Sequence, residues 1–247
     1  MDILYTLGRA SHWNDNELRY SLRSIARYGR NVGRVHIVGP YRPDWLSPDV
    51  NHIYCADRFD VKAKNIMLAI QTAVHDDAIA NDFLLSSDDH FYLRETDFAR
   101  YPYYYKGELP MTPFTAADGP SWAYHEQLFQ TRLALTAAGL TAHNFAQHCN
   151  THFQRDAFMK YESLMERCYS TPQGCEATCL MINAILKEKP FTWTLRHDIK
   201  VAGAANRRAL DAQIAHDHCF SIADRAINRG VSLFLQERFP EKSKYEI

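Results

Sequence analysis

The stretch Phe83-Leu84-Leu85-Ser86-Ser87-Asp88-Asp89-His90-Phe91-Tyr92-Leu93 constrains this chain more than any other. An apolar run with the length of a buried strand meets two adjacent carboxylates and an imidazole, then resumes with aromatic and aliphatic side chains. Burying unpaired carboxylates is costly, and a divalent cation is the usual compensation. Asp88, Asp89 and His90 are therefore the candidate metal ligands. Oxygen donors suit Mg²⁺ or Mn²⁺, and an imidazole tilts the choice towards Mn²⁺. The same acidic pair also reads as an N-cap or turn device.

A chain of 247 residues can bury a sizeable core, and one domain over residues 1–247 is expected. Residues 1–100 form its metal and donor half, and residues 101–247 its acceptor half with C-terminal helices. A net charge of -1 gives no global attraction to nucleic acid or to anionic membrane. No apolar stretch approaches membrane-spanning length, and Met1-Asp2-Ile3-Leu4-Tyr5 runs straight into a strand pattern without a secretory leader. A cytoplasmic location is the expectation. It agrees with six scattered cysteines, which read as reduced thiols. Cys175-x3-Cys179 lies in a helical pattern and lacks a second ligand pair for zinc.

Taken in order, Asp2 to Leu7 predicts a first strand, and Asn14-Asp15-Asn16-Glu17 starts a helix with Leu18, Leu22 and Ile25 on one face. Arg34 to Gly39 predicts a second strand and Asn51 to Tyr54 a third, so the chain opens with parallel βαβ units. Arg19, Arg23 and Arg27 recur every four residues, as a solvated face or as a basic wall beside phosphate. Lys62, Lys64 and Asn65 begin a helix running through Ala73, where a phosphate group would also meet free backbone N–H groups. The Asp88-Asp89 tip then falls at the carboxyl end of a fourth strand, where open α/β sheets bind ligands.

Beyond it, Tyr101 to Pro120 reads as a long loop covering the site or shaping acceptor binding. Helices are expected from Glu126 to Ala138, Phe158 to Met165 and Ala177 to Leu186, a strand from Phe191 to Leu195, and a last helix through Leu233, Phe234 and Leu235. His143, His148 and His152 form a dense cluster, read as metal ligands, as a catalytic base with its supports, or as surface residues.

Several of these segments resemble the Stealth proteins, sugar-phosphate transferases that include bacterial capsular polysaccharide enzymes and the eukaryotic N-acetylglucosamine-1-phosphotransferase. Asp2 to Thr6 is similar to the first family block. Asn16-Glu17-Leu18-Arg19-Tyr20-Ser21-Leu22-Arg23-Ser24-Ile25 and Phe83 to Asp89 are similar to the second, His148 to Arg155 to the third, and Cys219 to Asp224 with Phe239-Pro240-Glu241-Lys242-Ser243 to the fourth. The chain has Leu7-Gly8-Arg9 where the family continues Val-Asp-Gly, Ser87 before the acidic pair and Ala223 before Asp224 where it has asparagine, and Asn150 where it has proline.

The acidic pair also resembles the metal motif of GT-A nucleotide-sugar transferases. The resemblance implies a GT-A-like, Rossmann-like sheet, mostly parallel and flanked by helices, with a helical elaboration. It also implies a metal-dependent transferase using a nucleotide-diphosphate sugar, a UDP-sugar first, and a carbohydrate or other hydroxyl acceptor. In that scheme His148 is the base, with Asp224 and Arg155 as its catalytic companions, and Arg19, Arg23, Lys62, Lys64 and Asn65 hold the donor phosphates. Either the sugar or the sugar 1-phosphate is transferred. A glycosyltransferase acting on hydroxymethylated DNA would use the stripe Arg19, Arg23, Arg27, Arg30 and Arg34, and a non-catalytic sugar-binding protein would keep the same fold.

Overall fold

Ile3, Leu4 and Tyr5 are fully buried, which places the first strand, β1 (Asp2–Thr6), at the centre of the molecule. The structure, a computed structural model, describes residues 1–9, 11–196, 199–203 and 206–247. After β1 come α1 (Asn16–Tyr28), the two-residue β2 (Gly29–Arg30), β3 (Val35–Gly39), β4 (Asn51–Tyr54) and α2 (Lys62–Val74). The next segment holds β5 (Asp82–Ser87), β6 (His90–Tyr92), β7 (Thr96–Asp97) and β8 (Tyr103–Tyr105), followed by α3 (Trp122–Ala137) and β9 (Thr151–Gln154). Helices α4 (Arg155–Lys160), α5 (Glu162–Ser170) and α6 (Ala177–Glu188) lead to β10 (Trp193–Leu195) and β11 (Lys200–Val201). The chain continues through α7 (Arg207–Ile214), β12 (Cys219–Ile222) and α8 (Arg229–Arg238).

The main sheet has the order β4-β3-β1-β5-β9. Its first four strands are parallel and β9 is antiparallel, with Thr6 opposite Ser87 and Leu85 opposite Thr151. Successive strands step outwards from β1 to β3 to β4, and then α2 carries the chain back to place β5 on the other side of β1. The order thus reverses between β1 and β5, and a crevice must open at their carboxyl ends.

Side chains alternate across the sheet. Leu4 and Val38 face a core shared with Met67 and Ile70 of α2 and with α6. Ile3, Tyr5 and Ile37 face Leu18, Leu22 and Ile25 of α1, the stripe expected from the sequence. The molecule is a single α/β domain with helices on both faces of a mixed, mostly parallel sheet.

The fourth strand ends at the acidic pair, as expected, and the apolar run beyond it forms a separate strand. The run from Phe83 to Leu93 breaks at Asp88-Asp89, so that β5 belongs to the main sheet while β6 pairs antiparallel with β12 in a second sheet, β11-β12-β6. Polar groups of α1 fix that departure: Ser21 Oγ donates to the His90 carbonyl at 2.6 Å, and Tyr92 N donates to Ser24 Oγ at 3.0 Å. The segment 101–120 is less open than the expected loop, because β8 pairs in parallel with β10.

The last residues pack on the loop before β4. Ser47 N donates to the Tyr245 carbonyl at 2.9 Å and Ile247 N to the Trp45 carbonyl at 3.0 Å. Among the described residues, no helix is long and apolar enough to cross a membrane.

Candidate functional site

A cleft of about 700 Å³ opens where the strand order reverses, lined by Thr6, Leu7 and Gly8 after β1 and by Ser87, Asp88 and Asp89 after β5. Its size suits a cofactor or sugar nucleotide. Gly39, at the end of β3, allows the strand ends to crowd together, since a β-carbon there would sit 2.5 Å from the Leu7 carbonyl oxygen. On one side the cleft meets the amino end of α2, with Lys62 on its wall and no side-chain cap on the helix. Exposed N–H groups and the helix dipole make such an end attractive to anions.

Asp88 and Asp89 differ in state although they are neighbours. Asp88 is deep in the cleft, partly exposed to it, and its pKa is pushed up to about 7 by burial first, then by Asp89, with further repulsion from Glu17 and Asp224. Burial acts on Asp89 in the same direction, but Lys200 and His90 outweigh it and hold that carboxyl below the usual range. Lys200 Nζ stands 3.1 Å from Asp89 Oδ2. Glu17, only 3% exposed, is raised by burial and accepts a hydrogen bond from Ser11 Oγ at 2.9 Å. Four carboxylates therefore share one electrostatic field, and Lys62 acts against it at Asp88.

This donor chemistry fits a hard cation. Among the described residues no group of three His, Cys, Asp or Glu side chains is spaced to hold a metal by itself. A cation shared with a substrate diphosphate needs only one or two protein carboxylates, and the excess negative charge around Asp88 meets that need. His90 lines the cleft with the pair. It is 4% exposed, with Nδ1 accepting from Ser87 N at 3.4 Å and Nε2 facing Asp89 at 3.7 Å.

Of the three clustered histidines, only His148 lines the cleft, just ahead of β9. His143 Nδ1 meets Glu108 Oε1 at 2.6 Å, and His152 stacks on Tyr103 with its Nε2 2.6 Å from the Tyr101 carbonyl. Asn150 ties the cleft wall together, accepting from Ser86 Oγ at 3.0 Å. Asp224, directly after β12, closes the opposite rim beside Lys200.

Other expected residues are not brought to this place. Arg23 forms a two-pronged pair with Glu246, Nε to Oε1 at 2.8 Å and Nη2 to Oε2 at 2.7 Å, and Arg19 approaches the same carboxylate at 3.7 Å. Neither lines the cleft. Arg30 pairs with Glu95 and Arg27 donates to the Arg238 carbonyl, both at the surface, and Arg34 is exposed as well.

Lys64 lies on the far side of α2 and donates to the Tyr169 carbonyl at the end of α5. Asn65 reaches the cleft wall, but its amide is engaged by the backbone of Arg58 and Phe59, so it shapes the 55–61 loop. Arg155 lies at the amino end of β5, because β9 runs antiparallel: its backbone bonds Asn81 and its guanidinium faces Ile79 and Asp77. It is a full strand length from Asp88. Cys175 and Cys179 are free and buried, like the other four cysteines.

Sequence reading missed Glu17, Lys200 and Gln147 as cleft residues. Glu17 had passed as a helix-start acid, and Lys200 carried no local pattern at all. No protein-family model matches the chain, and no curated protein matches it.

Proposed function

We propose that the chain is a nucleotide-sugar-dependent transferase of GT-A-like architecture, carrying a sugar from a nucleoside diphosphate sugar, a UDP-sugar first, to a hydroxyl of a carbohydrate or similar acceptor. One observation carries the reading: Asp88, Asp224 and Glu17 converge at the switch point of a parallel sheet, facing Lys62 and the open end of α2. Carboxylates that repel one another across a cleft, next to groups that attract phosphate, suit a cation-bridged diphosphate. The six free thiols support a reducing, cytoplasmic setting.

Lys62 and the first-turn amides of α2 hold the diphosphate and draw its charge away from the breaking bond. His148 accepts the acceptor hydroxyl proton while the new C–O bond forms at the anomeric carbon, and the bond to the β-phosphate oxygen breaks to release the nucleoside diphosphate. Lys200 keeps Asp89 ionised and anchored, which orients the turn presenting Asp88. A Mn²⁺ or Mg²⁺ ion on Asp88, with Asp224 or Glu17, would add neutralisation of the leaving diphosphate.

Transfer of sugar 1-phosphate is the second reading. It is supported by the meeting in one cleft of Asp88, His148 and Asp224, which stand in three separate Stealth-like blocks. Phosphorus NMR of the product separates the two, since only phosphate transfer leaves a phosphodiester.

The test is calorimetry with UDP-, GDP- and CMP-sugars in Mn²⁺, in Mg²⁺ and in chelator, on the native chain and on D88A. Metal-dependent binding of one nucleotide, lost in D88A, is expected. Absence of binding under every condition, or equal binding by D88A, overturns the proposal.

A further inference from the structure

A second surface continues from the cleft. Trp193 on β10 is 38% exposed and Leu195 63% exposed, although both sit in a strand. The indole rests on a bed of rings: Tyr105 at 6.0 Å, His143 at 5.3 Å, Phe145 at 6.3 Å and Phe191 at 6.0 Å between centroids. Polar groups border it. The Glu108 carboxylate, 52% exposed, accepts from the Tyr105 hydroxyl at 2.8 Å and meets His143 at 2.6 Å. A rigid ring with a solvent face, beside hydrogen-bonding groups already oriented by one another, matches a sugar ring, which has an apolar C–H face and a hydroxyl rim.

The cleft end supplies an independent sign of a ligand. Gln147 lines the cleft and is 8% exposed, with Nε2 donating to the Arg196 carbonyl at 3.4 Å. Its Oε1 is buried without a hydrogen-bond partner among the described residues. A buried acceptor left unpaired costs stability unless a ligand supplies the donor. The same Gln147 joins the two places: Arg196 follows β10 directly, and Phe145 under the indole is two residues before Gln147. The three chain steps from Phe145 to His148 span at most about 11 Å, so the two places lie close together.

We propose that the Trp193 surface and Gln147 form one carbohydrate-binding path, in which an oligosaccharide stacks on Trp193, passes Glu108 and His143, and donates a hydroxyl hydrogen bond to Gln147 Oε1 in the cleft wall. That this oligosaccharide is the acceptor rests on the transferase reading; that carbohydrate binds there does not.

Indole N–H signals of the four tryptophans, assigned with W193F, follow titration with glucose and N-acetylglucosamine oligomers of two to six units, α- and β-linked, and separately with UDP-sugar and Mn²⁺. The Trp193 signal is expected to move with at least one oligomer series of three units or more and to stay in place with nucleotide. W193A and Q147A should each weaken that oligomer about tenfold. No response to any oligomer, a response of Trp193 to nucleotide alone, or undiminished binding by both variants overturns the proposal. Absence of metal-dependent nucleotide binding by calorimetry, with the oligomer response intact, overturns the transferase reading and leaves the carbohydrate path standing.

Discussion

Lys200 Nζ lies 3.1 Å from Asp89 Oδ2, on the strand that pairs with the one leading into Asp224. That contact splits two adjacent carboxylates into one settled as an anion and one, Asp88, held near the point of protonation at about pH 7. The sign follows directly. Because the folded-state pKa of Asp88 lies above its ordinary value, the folded protein binds the extra proton, and stability falls as pH rises through that range.

D88N should therefore be more stable than the native chain at pH 8 in chelator, by about 1 kcal/mol, and by less at pH 5. Melting curves at the two pH values give the answer. Equal or lower stability of D88N at pH 8 would mean that Asp88 is relieved by a neighbour.

H148A should lose turnover by about a thousandfold while keeping donor affinity within twofold, since a base acts on the acceptor proton and not on the nucleotide. Calorimetry paired with a product assay checks this. A fall in nucleotide affinity instead places His148 at the donor.

Breaking the pair of Arg23 and Glu246 tests its structural role. Glu246 is 2% exposed and Arg23 11% exposed at the side chain, so R23A should cost about 2 kcal/mol by leaving a buried carboxylate with only Arg19 and Ser243 as partners. Nucleotide affinity, measured well below the melting temperature, should not change. Weaker binding with unchanged stability would return Arg23 to the phosphate site.

Buried histidines set an acid limit on the fold. Burial lowers the pKa of His36, which sits on the interior strand β3 beside Asp2 of β1, and it lowers His52 and His152 as well. The unfolded chain then takes up protons first, so stability is full above the ordinary histidine value and is lost as pH falls below it. Stability should therefore decline between about pH 6.5 and pH 5.5. Urea midpoints across that interval should drop in the native chain and drop less in H36N; a flat native profile would contradict the assignment.

The opening half of the fold was legible because its strands are apolar runs of the right length, separated by Gly33 and by the Pro40-to-Pro48 loop, and because Leu18, Leu22 and Ile25 repeat with helical spacing. The site was legible in Asp88 and Asp89, where charge interrupts such a run. It was not legible in β9, whose Thr151-His152-Phe153-Gln154 lacks an apolar signature and gains its place only by pairing with Phe83 and Leu84. Arg155 was misplaced for the same reason, since its position depends on which way β9 runs. Arg19 and Arg23 looked like phosphate ligands because Glu246, their partner, is more than two hundred residues away and no local pattern announces it.

The break between β5 and β6 gives the cleft a mechanical property. Asp88 hangs from the end of the main sheet, whereas Asp224 hangs from β12 in the second sheet, and the turn at Asp88-Asp89 is the joint between the two. The opposing carboxylates are thus the jaws of a caliper whose arms are whole sheets. Their gap is therefore set by how the two sheets are held together, chiefly by Ser21 and Ser24 of α1 on β6, and not by any single loop.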